Sequence, residues 1–282
     1  MSDSNPACVE ENFRHSSEIT HMPTIQSGEA RLYYETHGTG YPVIFVHGGG
    51  GNSMAWFQQV PHFSARYKVI TVDLRGFKNS HCAPEFVHPR YFAEDMRAIL
   101  NVEGLTDAAF VCQSLGAWAG LSLAVQSPER VSCLFVNGSP TPAYSEENWS
   151  VITRAQDIYL GDNSKRNTSI GWNRRTVQER PELTFLYGQI KSLNPPFNSH
   201  TMQDESIKVF PKDLEGYKVP TVIAGGVHDD FLHPKSHFHA ASLIPGAKTH
   251  TFEHAGHSAY FETPVEFNEA LDAFLKLHLA SR

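Results

Sequence analysis

Short apolar runs alternate with amphipathic stretches along most of this chain. Val43 to Val46, Lys68 to Val72, Phe110 to Cys112, Val131 to Val136, Val222 to Ala224 and Thr249 to Phe252 are brief and rich in β-branched or aromatic residues, which predicts strands. Arg31 to Thr36 alternates polar with apolar positions and predicts an antiparallel edge strand. Between them lie helical patterns. Met54 to Phe63 is expected to pack Trp56 and Phe57 on a sheet, and Pro89 to Val102 places Phe92, Met96, Ile99 and Leu100 on one face. The stretch after Ser114 reads as a helix ending near Pro128, and Val265 to Leu279 carries Phe267, Leu271, Phe274 and Leu275 at helical spacing. Nearly continuous apolar strands separated by helices imply a parallel sheet covered on both faces, an α/β architecture.

The alternation stops between Gly138 and about Asp213. Helical patches at Glu146 to Leu160 and Arg180 to Leu193 are broken there by Gly, Asn and Pro. Residues 139–213 are expected to form a helical cap inserted in a core of 23–138 and 214–282. Of the insertion's aromatics, Trp149, Tyr159, Trp172, Phe185, Tyr187 and Phe197, one or two are expected to face a ligand. Residues 1–22 read as a flexible leader; Met1 to Pro6 is polar and lacks the apolar core of a secretory signal.

The chemistry concentrates at strand ends. The run Ala108 to Cys112 leads into Ser114, and small residues follow. A serine on so tight a strand-to-helix turn has its hydroxyl pushed clear of the sheet, the geometry of a nucleophile elbow. An ordinary helix N-cap is the plainer reading. Three further segments tip the balance. Val43 to Val46 runs into His47 and four glycines, a loop whose N–H groups can converge on an anion. It lacks the Gly-Lys-Ser/Thr of a Walker loop and the spacing of a dinucleotide fingerprint. The strand at Val222 ends in Gly225 and Gly226, followed by Asp229 and Asp230. Past Phe252, Gly256 breaks the chain and His257 stands at a loop tip. The order Ser, Asp, His differs from that of the two large serine-protease folds.

These segments resemble the α/β-hydrolase family, in its form with a helical cap. His47-Gly48-Gly49 resembles the oxyanion loop, Asp73-Leu74-Arg75-Gly76 the Asp-x-Arg-Gly turn, and Cys112-Gln113-Ser114-Leu115-Gly116 the Gly-x-Ser-x-Gly elbow. Ala255-Gly256-His257, with Glu262-Thr263-Pro264 after it, resembles the histidine loop and last helix start. Cys112 departs from the elbow's first glycine; within a strand it should be buried and inert. The resemblance spans residue 24 to the C-terminus. It implies a mostly parallel eight-stranded sheet, with Ser114, Asp229 and His257 as catalytic residues and the Gly49 and Leu115 amides as oxyanion hole. Counting from Gly226 favours Asp229 as the acid; counting back from Pro234 favours Asp230. Asp229 is preferred.

Composition changes the picture mainly by exclusion. A net charge of −7 with no basic patch argues against nucleic acid, and no apolar stretch of about 18 residues suits a membrane span. The four cysteines show no pairing pattern, which suggests reduced thiols and a cytoplasmic setting. Sixteen histidines raise the question of a metal. His233, His237 and His239 lie close together, and the four-residue spacing would place His233 and His237 on one face of a helix, yet no His-Glu-x-x-His or cysteine pair supports a site, and neither metal nor cofactor is expected.

The expected activity is hydrolysis of a small-molecule carboxylic ester or lactone through an acyl-enzyme, on a substrate with an apolar or aromatic part. Carbon–carbon hydrolases of this fold often have Asn before the serine and an aromatic after the histidine; Gln113 and Ser258 stand there instead. A cofactor-free oxygenase or lyase and a slow-turnover ligand receptor are the other rivals. Oligomeric state is not legible.

Overall fold

A computed structural model describes residues 23–160 and 171–280. The expected leader, residues 1–22, lies outside the described residues. Among the described residues, eight strands form one sheet in the order β1-β2-β4-β3-β5-β6-β7-β8. The strands are β1 Thr24–Ser27, β2 Ala30–His37, β3 Tyr41–Val46, β4 Tyr67–Val72, β5 Ala108–Gln113, β6 Val131–Asn137, β7 Thr221–Gly226 and β8 Lys248–Phe252. From β4 to β8 every neighbouring pair is parallel; β1 with β2 and β2 with β4 are antiparallel.

Alternation along β3 divides the core. Ile44 and Val46 face a cluster closed by α2 Phe92–Val102, α3 Ala117–Gln126 and α7 Ser236–Ser242. Val43 and Phe45 face the other cluster, closed by α1 Val60–Phe63, α8 Ala259–Glu262 and α9 Pro264–Leu279. Between β6 and β7 lie α4 Glu146–Leu160, α5 Arg174–Glu179 and α6 Pro181–Ser192, followed by 3-10 turns at Ser199–Gln203, Glu205–Ile207 and Pro211–Leu214.

Three local expectations need correction. Arg31 to Thr36 does lie in an antiparallel strand, but not at the edge. Gly28, at φ 51°, turns the chain so that β1 pairs outside β2. That first strand is only four residues long and buries just Ile25 and Ser27, a weak periodic signal. Met54 to Phe63 is not one helix. A 3-10 turn at Ser53–Trp56 gives way to α1, because Pro61 cannot donate its amide and clashes with the preceding turn. Trp56 is therefore buried against Phe45, with ring centroids 5.1 Å apart, while Phe57 swings out to 42% exposure. His233 precedes α7 and does not share a helical face with His237.

Candidate active site

The elbow is built by β5 and α3. Every residue of β5 is buried, and the chain leaves it through Ser114 at φ 47°. Non-glycine residues rarely occupy this left-handed region, so surrounding structure must hold it there. A 3-10 turn, Ser114–Gly116, then feeds α3. Gly116 presses on β3 so closely that a Cβ would meet the Val46 carbonyl oxygen at 2.5 Å. Cys112 stands where the elbow pattern has glycine, and α3 makes room for it. A Cβ at Gly120 would lie 2.6 Å from Cys112 Sγ, so the missing side chain has moved from strand to helix. Burial pushes the Cys112 thiol far above its ordinary pKa and keeps it protonated.

The glycine loop after β3 is clasped by His47. Its ring is fully buried; Nδ1 lies 2.7 Å from the Gly48 carbonyl oxygen and Nε2 accepts from the Leu74 amide at 3.0 Å. Only a neutral ring protonated at Nδ1 satisfies both contacts. Burial lowers the His47 pKa to about 4, consistent with that form. The Asp73-Leu74-Arg75-Gly76 turn supports the same loop. Asp73 accepts from the Ser53 and Asn79 amides at 2.7 and 3.2 Å. Arg75 makes a buried two-pronged pair with Asp95. Asn52 ties the loop to α6 through the Ile190 carbonyl at 2.9 Å.

On the other flank, His257 Nδ1 lies 2.8 Å from Asp229 Oδ2, both side chains being buried. The second Asp229 oxygen accepts from the Phe231 and Leu232 amides at 2.9 and 2.8 Å. Asp230 points away, 71% exposed, with Arg174 3.9 Å distant. The His257 amide donates to Gly171 O at 2.7 Å, and Asn137 Nδ2 donates to His257 O at 3.3 Å.

Glu262 holds the loop from below. Its buried carboxylate accepts from the amides of Asn173 at 2.7 Å, Ser258 at 3.0 Å and Gly256 at 3.2 Å. Burial raises its pKa and the three donors oppose that rise. Its place four residues beyond Ser258, at the end of α8, was a weak hint of this role.

Gly49, Ser114, Leu115 and His257 line one cavity of about 150 Å³, with Asp229 behind the imidazole. Three aromatics of the segment between β6 and β7 reach it, Trp172, Tyr187 and Phe197, rather than one or two. Phe185 is exposed, Trp149 packs on Tyr144, and the side chain of Tyr159 lies outside the described residues. Trp118 and Phe231 add rings from outside that segment. The His237 ring sits 3.3 Å from Thr251 Oγ1, and His233 Nδ1 accepts from the Lys235 amide at 3.2 Å, so these histidines serve local structure. Among the described residues no three His, Cys, Asp or Glu side chains converge as metal ligands, and no helix is long and apolar enough to cross a membrane.

The chain belongs to the alpha/beta hydrolase fold family, whose model matches residues 41–264. It is 28% identical over 272 residues to a candidate carbamate hydrolase, RutD, of Azorhizobium caulinodans, covering 90% of this chain and 98% of that one. It is 26% identical to the carboxylesterase YbfK of Bacillus subtilis, covering 83% and 79%. A 2-hydroxy-6-oxo-6-phenylhexa-2,4-dienoate hydrolase of Comamonas testosteroni is also 26% identical, covering 87% and 91%. Among solved structures, Est816, described as an N-acyl homoserine lactone degrading enzyme, superposes with a TM-score of 0.74 at 25% identity, covering 89% and 100%.

Proposed function

We propose that this protein hydrolyses small carboxylic esters or lactones through an acyl-enzyme on Ser114. The observation that carries the reading is the strained Ser114 opening into the same cavity as His257, whose other face is held by buried Asp229. The carboxylesterase relative and the lactone-degrading structural neighbour support the same bond type.

With Nδ1–H donated to Asp229, His257 presents an unprotonated Nε2 to the cavity. Ser114 Oγ attacks the carbonyl carbon while Nε2 takes the hydroxyl proton. The carbonyl oxygen becomes an oxyanion, held by the Gly49 and Leu115 amides, each such donor being worth about 3–4 kcal/mol in the transition state. Collapse expels the alkoxide, which receives the proton from His257, and an acyl ester remains on Ser114. Water, deprotonated by the same ring, attacks that ester; the acid leaves and Ser114 regains its proton. Asp229 fixes the ring orientation and stabilises the imidazolium without taking up the proton. The described parts of segment 139–213 act as the cap over this cavity and supply part of its apolar wall, with Trp172, Tyr187 and Phe197.

Hydrolysis of a carbon–carbon bond is the second reading, favoured by the Comamonas relative. Gln113 and Ser258 replace the Asn and aromatic residue often found beside the triad in such enzymes. A fluorophosphonate probe tests the first reading. Stoichiometric labelling of Ser114, with p-nitrophenyl acetate turnover lost in Ser114→Ala, is expected. Full turnover in that variant overturns the acyl-enzyme mechanism and leaves His257 acting alone as base.

A further inference from the structure

The glycine loop after β3 is held from two sides. The Gly51 amide donates to Gly48 O at 3.0 Å, so Gly48 to Gly51 form one turn with Gly49 and Gly50 at its centre. Glycines leave such a turn unusually free, whereas an amide meant for a developing charge acts only if it is fixed beforehand. Core contacts hold the entry, where His47 sits against Gly48 O and accepts from the Leu74 amide. The exit is held by the segment between β6 and β7. Asn194 Nδ2 donates to Gly51 O at 2.9 Å, and Asn194 Oδ1 accepts from Asn52 Nδ2 at 3.1 Å. Asn52 Nδ2 also donates to Ile190 O at 2.9 Å, while Asn52 Oδ1 accepts from the Met54 amide at 3.1 Å.

These contacts allow one orientation of each side-chain amide. Turning Asn194 over would set its carbonyl against Gly51 O and its NH2 against that of Asn52; turning Asn52 over would set its carbonyl against Ile190 O. Asn194 stands two residues past the end of α6, directly before Pro195. A residue ahead of proline is pushed out of the helical conformation, which ends α6 there and leaves the side chain to cross to the loop. The same helix brings Tyr187 to the cavity wall, and a Cβ at Gly50 would lie 2.7 Å from its hydroxyl oxygen. One helix therefore meets both the substrate space and the turn beside it.

We propose that Asn194 is a positioning residue for the oxyanion hole: from the cap, it fixes the turn that carries the Gly49 amide, and Asn52 completes the clasp. Asn194 does not itself line the cavity. The chemical step thus depends on a side chain that never reaches the reacting atoms, and the seating of α6 sets the donor. The inference rests on the reading of Gly49 as an oxyanion donor in an ester hydrolase, and amide exchange separates the two.

The test compares the full-length wild type with Asn194→Asp and Asn194→Ala. Asn194→Asp keeps the native shape and the oxygen facing Asn52, but sets an acceptor against Gly51 O. In both variants kcat for p-nitrophenyl acetate should fall about tenfold, part of the about 10²–10³-fold lost with a whole donor, at a KM within about twofold. Affinity for phenylboronic acid, whose serine adduct is tetrahedral, should weaken by a similar factor. Amide exchange read by NMR should quicken about tenfold at Gly51, as loss of one hydrogen bond implies, and stay within about twofold at Leu74 on the core side. If Asn194→Ala fails to fold, Asn194→Asp decides alone. A raised KM at unchanged kcat overturns the proposal, since Asn194 would then only support the substrate wall. Unchanged kcat and boronate affinity overturn it too, as does equal quickening at Gly51 and Leu74, the mark of general loosening. A wild-type protein that cleaves no ester, with Gly51 exchange still quickened by Asn194→Asp, would refute the hydrolase reading and keep the clasp. Unchanged exchange at Gly51 overturns the clasp whatever the activity.

Discussion

The two flanks of the cavity differ in how firmly their key side chains are held. On the flank of strand-end loops, two buried carboxylates are saturated by the protein itself. Asp229 uses one oxygen on His257 and the other on two amides, while Glu262 satisfies three amides of the histidine loop and its neighbour. On the flank that includes α4 and the turn after it, Gln156 and Ser199 keep buried polar atoms unpaired. A group that must meet every substrate at the same reacting carbon gains from being fixed beforehand, since small misplacements cost large factors in rate. The contrast predicts that substitutions at Asp229 and Glu262 damage rate or stability, and that those at Gln156 or Ser199 cost little of either.

The largest effect tests the first flank. Asp229→Asn should lower kcat for p-nitrophenyl acetate by about 10⁴-fold, through loss of the tautomer that leaves Nε2 free. Asp230→Asn, at an exposed carboxylate, should leave kcat within about twofold, as surface changes away from the chemistry usually do. Similar losses in both variants would break the assignment of the acid.

Glu262→Ala removes the acceptor shared by the Asn173, Gly256 and Ser258 amides. Leaving such donors buried and unpaired should cost about 3 kcal/mol or more, read as a lower urea midpoint at unchanged slope. Gln156→Leu, which loses only the long 3.4 Å contact of Nε2 with His200, should cost under about 1 kcal/mol. If the two variants were equally destabilised, the two flanks would not differ in the way described.

The first flank was also the legible one. Ser114, Asp229 and His257 stand at strand ends, where periodicity stops and glycines appear, so position along the chain and position in the fold coincide. The helices α4 and α6 were legible for the same reason, as amphipathic patches. What they enclose was not. Gln156 and His200 meet only because α4 packs on the turn Ser199–Gln203, and no local pattern encodes that contact. His47 and Glu262 belonged to recognisable motifs, but their work as clasps depends on the amides of Leu74 and Asn173, far away in sequence. The boundary errors have local causes that outweighed periodicity, namely Pro61 inside a helical pattern and a first strand too short to show alternation.

The clasp at His47 sharpens the comparison through pH. Its pKa is about 4 when folded, against an ordinary value of 6.5, so the unfolded chain binds the proton more readily. The sign follows: the contribution is fully present above about pH 6.5 and is lost as pH falls toward 4. Between pH 7 and pH 5 this one group should cost about 2 kcal/mol of stability. His237 and His250, also lowered by burial, act in the same direction. His47→Gln should be less stable at pH 7 but show a shallower acid decline in urea midpoints. An unchanged slope would mean that His47 takes up its proton without opening the loop.

The smallest effect concerns the exchange of small residues at the elbow. Gly120→Ala would place a Cβ 2.6 Å from both Cys112 Sγ and Leu134 Cδ1. Relieving such overlap in a packed core typically costs about 1–3 kcal/mol, more than the roughly 1 kcal/mol that alanine returns to a helix. Trimming the thiol removes one of the two clashes. Gly120→Ala should therefore destabilise Cys112→Ala protein by about 1 kcal/mol less than it destabilises the wild type, a coupling typical of side chains in contact. Strict additivity in thermal melts would show that Leu134 alone resists the methyl group. Gly120 would then not be the site that accommodates Cys112, and the strand would have to accept the larger side chain by some other local adjustment of β5.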